Sequence, residues 1–250
     1  MAASPRLYCP VALSEGMQLN LSAAASRHVQ VLRMQPGQNV VLFGHGAGQW
    51  LATITSIGRS QVTVTVENHE LIERETPLSV HLALGLVAND RMDSVLEKAT
   101  ELGAASFTLL ETERCVVKLS GERAQKRLQH WQAVVASACE QCGRNTVAPV
   151  GPVVTLNQYL LQAATGNHRR RVRFLLSLSE QAKPLHEATK ISGLGGIDTC
   201  ELVCGPEGGW TTGEEALLTQ AGWIPVSLGP RTLRADTAPL AALAALTLNA

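Results

Sequence analysis

The stretch Cys200-Glu201-Leu202-Val203-Cys204-Gly205-Pro206-Glu207-Gly208-Gly209 decides the fold of this chain of 250 residues. Its first half is a short run apolar on both faces, as expected of a strand in a parallel sheet covered by helices on both sides. Its second half is a corner of three glycines and a proline, whose backbone can approach a ligand without side-chain obstruction. Two further apolar runs end in the same manner. Phe174 to Leu178 leads into Ser179-Glu180, and Ile224 to Leu228 leads into Gly229-Pro230-Arg231-Thr232-Leu233-Arg234-Ala235-Asp236-Thr237. Open α/β sheets bind ligands at the carboxyl ends of their strands, so these segments are candidates for one shared pocket. A tight strand-to-helix turn uses the same residues, and that plainer reading stands beside the first.

Working outward, Leu78 to Leu86 reads as a strand. Asp90 to Leu102 reads as a helix carrying Val95, Leu96, Ala99 and Leu102 on one face and stopped by Gly103. Phe107 to Leu110 is another strand, and Glu122 to Cys142 is a long amphipathic helix with Leu128, Trp131, Val135, Ala138 and Cys142 at helical spacing. Thr212 with Glu215 has capping-box spacing, and Thr237 is placed to cap a last helix that tolerates Pro239 in its first turn. That last helix is apolar nearly all round, which calls for burial on several sides or an oligomer interface.

The first seventy residues follow another rule. Val62, Val64 and Val66 alternate with Thr63 and Thr65, and short strands are punctuated by Pro36-Gly37, Gly44 to Gly48 and Gly58. This predicts a small antiparallel barrel, with the acidic run Glu67 to Pro77 as linker. The expected division is 1–72 for the barrel and 73–250 for the α/β domain.

Composition narrows the function. Charged residues are 17% of the chain, with 21 basic against 21 acidic, so no overall basic field marks a polyanionic partner. Basic residues are nevertheless grouped at Arg123 to Arg127 and at Arg169 to Arg173, groups that commonly serve as solvated faces. The chain opens without a signal peptide, and its six cysteines read as reduced thiols, so a cytoplasmic location is expected. Cys139 and Cys142 form a CxxC without the second pair of a zinc ribbon, and no metal is expected. No stretch approaches the length of a membrane span. GxxxxGK[ST] and GxGxxG are absent, Gly193 to Gly196 included, and neither Ser179 nor any histidine sits in a nucleophile elbow.

Taken together, Cys139-Glu140-Gln141-Cys142-Gly143-Arg144-Asn145, the Gly205 to Gly209 loop and Leu228 to Thr237 resemble the RsmE family of SPOUT-superfamily methyltransferases. Pro5-Arg6-Leu7-Tyr8, Val31-Leu32-Arg33-Met34, Glu101-Leu102-Gly103 and Glu113-Arg114-Cys115 extend the likeness over nearly the whole chain. The resemblance implies a PUA-like RNA-binding barrel followed by an α/β domain with a trefoil knot. It also implies a homodimer and S-adenosylmethionine held among the three post-strand loops. The implied reaction is methylation of N3 of a uridine in 16S ribosomal RNA, a partner met within the small ribosomal subunit.

By that likeness Leu178, Cys204, Gly205, Pro206, Glu207, Gly208, Gly209, Leu228, Gly229 and Leu233 hold the donor, while Arg6, Arg27, Arg33 and Arg114 are the RNA-binding candidates. Two positions depart from the family: Asp236 stands where Glu is usual, keeping the charge with one methylene less reach, and Pro239 interrupts a helix start that is commonly Thr/Ala-rich.

Methyl transfer is an in-line displacement governed by alignment and exclusion of water. The imide proton of uridine N3 must leave, and a fixed guanidinium suits the charge developing on the neighbouring carbonyls. Arg234, with Arg231 beside it, is the expected catalytic residue. Either can instead hold an RNA phosphate, a strand-end carbonyl or the carboxylate of Glu207, and Glu207 can cap the helix that follows it. Rival readings are an RNA-binding homologue without catalysis, and a SPOUT methyltransferase of transfer RNA or of a ribose hydroxyl.

Overall fold

In the computed structural model the described residues are 4–165, 170–193 and 197–248. His168 and Arg169, and Leu194 to Gly196, lie outside them. The chain forms two compact units: Met1–Glu75 with Ala136–Val147, and Thr76–Val135 with Ala148–Ala250.

The first unit is built on a five-stranded sheet. Its elements are β1 (Arg6–Tyr8), β2 (Gln18–Asn20), α1 (Ala23–Val31), β3 (Asn39–Phe43), β4 (Gln49–Ile57) and β5 (Val62–Glu70), in the spatial order β1-β3-β4-β5-β2. Alternation along β5 buries Val62, Val64 and Val66 against Val40, Leu42 and Ile54, and α1 adds Ala25 and Val29 to that core. The pairing is not antiparallel throughout as expected, because β1 joins β3 in parallel. The intervening helix α1 supplies the crossover that a parallel pair requires. The expected linker also begins too early: β5 continues to Glu70, where the Glu70 carboxylate accepts a 2.7 Å bond from Gln49 Nε2 and Glu67 accepts one from Thr53. Cross-strand polar partners let acidic residues complete a strand.

The second unit is a seven-stranded sheet in the order β10-β12-β9-β11-β6-β7-β8, with every pairing parallel. Its strands are β6 (Ser79–Gly85), β7 (Ala104–Glu111), β8 (Val150–Thr155), β9 (Arg171–Leu176), β10 (Lys183–Pro184), β11 (Thr199–Cys204) and β12 (Ile224–Ser227). Its helices are α2 (Asn89–Glu101), α3 (Gly121–Cys142), α4 (Leu156–Thr165), α5 (Leu185–Ser192), α6 (Thr212–Gln220) and α7 (Ala238–Thr247). The last turns of α3 belong to the first unit. Cys200, Leu202 and Val203 of β11 are wholly buried; burying Leu202 and Val203 contributes roughly 1.5–3 kcal/mol each.

One feature of the connectivity places the site. β12 lies on the far side of β9 from β11, yet α7, which follows it, packs on α2, β6 and β11. The chain between Leu228 and Thr237 therefore doubles back past β9 and β11. A parallel α/β sheet following a small β unit along the chain is the expected division of architecture. α7 buries Ala242, Leu243 and Leu246 but leaves Ala241, Ala245 and Leu248 exposed, so one side of this apolar helix faces outward. Among the described residues no helix is long and apolar enough to cross a membrane, and no cluster of three potential metal ligands occurs.

Candidate active site

Adjacent strands β12, β9 and β11 release their following loops at one edge of the second unit, and these loops line a single cleft of about 870 Å³. That volume lies within the usual range for small-molecule pockets. Leu178 comes from the loop after β9, Cys204 to Gly209 from that after β11, and Leu228, Gly229, Arg231, Leu233 and Arg234 from that after β12. Arg91, Arg114, Ser177 and Trp210 line it too, although spacing alone did not place them there.

The glycines of the Cys204 to Gly209 corner are dictated by close approach. Gly209 N–H donates to Pro206 O at 2.9 Å and takes φ +66, a conformation natural to glycine. A Cβ on Gly208 would stand 2.8 Å from Arg114 Cβ. Gly85, at the end of β6, is a contributor the sequence reading missed: a Cβ there would lie 2.5 Å from Pro206 N. A glycine ending an otherwise bulky apolar strand was its only signal. Trp210 closes the corner, its Nε1 donating to Leu176 O at 3.2 Å.

Acidic groups around the corner serve backbone amides. The capping box of α6 lies one residue earlier than expected, on Thr211 and Glu214, because Thr211 has the extended conformation (φ −78, ψ 159) that aims its hydroxyl at Glu214 N. Glu214, 4% exposed, accepts from Thr211 N and from Glu113 N, both at 2.9 Å. Glu207 does not cap the helix that follows it. Its Oε1 accepts from Ala88 N at 3.1 Å, the N-cap of α2, with Arg91 Nη1 at 3.9 Å. A carboxylate there also meets the positive end of α2.

The third wall is less internally bonded. The backbone N–H groups of Arg231, Thr232 and Leu233 have no acceptor among the described residues, and the exposed guanidinium groups of Arg231 and Arg234 make neither hydrogen bond nor ion pair there. Arg234 O accepts from Thr237 N and Ala238 N, both at 2.9 Å. Thr237 makes no side-chain cap to α7, since it is already helical (φ −89, ψ −40), and its hydroxyl donates to Asp236 Oδ1 at 3.2 Å. Cys204 is fully inside; burial pushes its thiol up to about 12, so it is a packing group and not a nucleophile.

The four RNA candidates are divided between the two units. Arg114 lies on the cleft, where its Nη1 donates to Gly208 O and Trp210 O, each at 3.0 Å. The other three are in the first unit. Arg6 is half-buried, donates to Gln49, Arg144 O and Asn145 Oδ1, and stands 4.6 Å from the Phe43 ring centroid. The Cys139 to Asn145 string thus supplies part of that unit's internal polar lock, to which Glu140 adds a bond from Tyr8 N at 2.9 Å. Burial and the Arg74 charge lower the pKa of Arg6. Arg27 and Arg33 are exposed at and just beyond α1; Arg33 takes φ 54, a position glycine ordinarily fills after a helix.

Comparison with known proteins gives this geometry a context. Residues 74–247 match the family model for an RNA methyltransferase domain, and residues 21–67 match that for an RNA methyltransferase PUA domain. The chain is 33% identical over 219 residues to the ribosomal RNA small subunit methyltransferase E of Bacillus subtilis, spanning 88% of this chain and 85% of that protein. The solved structure of a ribosomal RNA small subunit methyltransferase E from Neisseria gonorrhoeae bound to S-adenosyl methionine aligns with TM-score 0.88 and 37% identity, covering 98% of this chain and 97% of the other. A putative methyltransferase from Legionella pneumophila, solved with bound SAM, aligns with TM-score 0.88 and 33% identity, again over 98% and 97%.

Proposed function

This chain belongs to the ribosomal RNA small subunit methyltransferase E family, and from that premise we propose that it methylates N3 of a uridine in 16S ribosomal RNA within the small subunit. It is an S-adenosylmethionine-dependent ribosomal RNA methyltransferase. The observation that carries the finer reading is the convergence of three post-strand loops on one cleft, beside two guanidinium groups with no internal partner among the described residues.

The residues present fit the donor. Gly85 and Gly208 let the corner pack closely, since a Cβ there would collide with Pro206 N or Arg114 Cβ, and the amides of Arg231 to Leu233 are available to acceptor atoms. Leu178, Gly205, Pro206, Glu207, Gly209, Leu228, Gly229 and Leu233 complete the proposed binding set, with Cys204 behind them as packing. S-adenosylmethionine supplies an activated methyl group when bound. The loops' task is to orient it and exclude water. Arg234 stabilises the negative charge that develops on the carbonyls flanking N3 as its proton leaves, and Arg231 assists or holds an RNA phosphate. Arg27 and Arg33 meet phosphates from the first unit. A second copy of the chain covers the outward apolar side of α7, giving a homodimer, and the enzyme works in the cytoplasm.

Nucleoside mapping of ribosomal RNA from cells with and without this gene tests the reading. Loss of one 3-methyluridine from 16S RNA on deletion, restored by the gene, is the expected result. An unchanged 16S pattern, or loss of a ribose-methylated or transfer-RNA nucleoside, refutes it.

A further inference from the structure

Arg114 stands out because, although exposed, its guanidinium is already engaged by backbone carbonyls of the cleft. It follows β7, 94 residues before Gly208 in the chain, yet its Nη1 donates to the carbonyls of Gly208 and Trp210, both at 3.0 Å. Its stem is equally committed. Gly208 approaches so closely that a Cβ added there would meet Arg114 Cβ at 2.8 Å and Arg114 O at 3.1 Å. The neighbouring residue is tied to the same region by a separate bond, Glu113 N donating to buried Glu214 Oε1 at 2.9 Å. Glu214 also holds Thr211 N, so the Glu113-Arg114 pair grips both ends of the segment Gly208 to Thr211.

We propose that Arg114 is a positioning residue for the donor-binding corner, fixing the Gly208 to Trp210 backbone by clamping two of its carbonyls. The inference rests on the methyl-donor reading of the cleft. A glycine corner can adopt many conformations, which makes it permissive to a ligand but costly to order. Two bonds from one charged donor hold that backbone in place beforehand, so less ordering cost falls on donor binding. Glu207 holds the same corner from another side through Ala88 N, so losing Arg114 loosens the corner without abolishing it.

The test compares Arg114→Met, which keeps an apolar stem without donors, and Arg114→Lys, which restores a cation able to reach a carbonyl. Calorimetry with S-adenosylmethionine, filter binding with 16S RNA fragments and hydrogen exchange without any ligand are measured on each full-length protein. For Arg114→Met the expected results are about tenfold weaker donor binding (about 1.4 kcal/mol), a matching rise in donor KM, faster exchange in peptides covering 205–211, and unchanged RNA affinity. Arg114→Lys recovers part of both losses. Unchanged exchange and donor affinity with weakened RNA binding would overturn the proposal and return Arg114 to the RNA surface. No heat of donor binding to the unsubstituted protein would instead remove the donor reading itself, and a positioning role toward the donor with it.

Discussion

Replacing Gly85 by alanine adds one methyl group where the end of β6 meets the corner proposed to hold the donor. Its carbon would fall 2.5 Å from Pro206 N, 2.6 Å from Pro206 Cδ and 2.9 Å from Gly205 C. Those neighbours are backbone and a closed ring, with no flexible tip able to swing away. The contacts must open by roughly 1 Å to reach ordinary carbon–carbon separation. Overpacking of this kind costs about 1–3 kcal/mol, equivalent to a melting-temperature decrease of about 2–12 °C for a unit of this size. Displacing the corner by that distance also misaligns the transferred methyl group, and a 1 Å misplacement is worth about 100-fold in rate. Gly213→Ala is the matched control: it lies within α6 with only Thr211 Oγ1 at 3.9 Å, so the methyl group fits and helix propensity should add about 0.5–1 kcal/mol. Methyl transfer from labelled donor to 16S RNA, alongside thermal melting, reads both effects. Gly85→Ala with kcat/KM within twofold of the parent and an unchanged melting temperature would refute the reasoning.

Arg234→Ala should lower kcat by about 100-fold or more with little change in donor affinity, as expected on losing a transition-state charge partner; a full rate with weakened RNA binding would make it a phosphate contact. Arg27→Ala and Arg33→Ala should each weaken RNA binding across sequences and reduce the slope of log affinity against log salt by about one, measured by titration at several ionic strengths. Thr211→Ala should cost about 1 kcal/mol by removing the α6 cap, read by denaturant unfolding. The alkaline limb of stability should be steep. The thiols of Cys139, Cys200 and Cys204 are each raised by burial from 9.0 to about 12, so the folded chain retains protons that the unfolded chain sheds. Their stabilising contribution is therefore complete below pH 9 and lost progressively as pH rises through 12, and melting curves for Cys200→Ala should show a shallower decline over that window.

The carboxyl-end corners were legible because strand, glycine and proline are local signals: a two-sided apolar run that stops at Gly205 or Gly229 declares its loop without knowledge of the sheet. The residues that shape the corner from outside were not. Gly85 and Arg114 act on Gly205 to Trp210 across 94 or more residues, and only the strand order β11-β6-β7 brings them near. Short elements escaped for a related reason. β10 is two residues long, and α1 is a nine-residue helix set among short strands. The caps of α6 and α7 show the limit of spacing rules: adjacent threonines at 211 and 212 satisfy the pattern almost equally, and backbone conformation chooses between them.

The neighbours of β6 also set a timetable for biosynthesis. Thr199 of β11 pairs with Ser79 of β6, 120 residues apart in sequence, whereas β7 on the opposite edge follows within one helix. At ordinary elongation speeds a ribosome needs roughly 6–24 s to make the intervening chain. During that interval β6 presents a bare apolar edge in a nascent chain, the kind of surface that recruits chaperones or neighbouring nascent chains. An interior strand of the finished sheet is thus exposed during translation, and slowed elongation between β7 and β11 should lower the yield of native enzyme without altering a single residue.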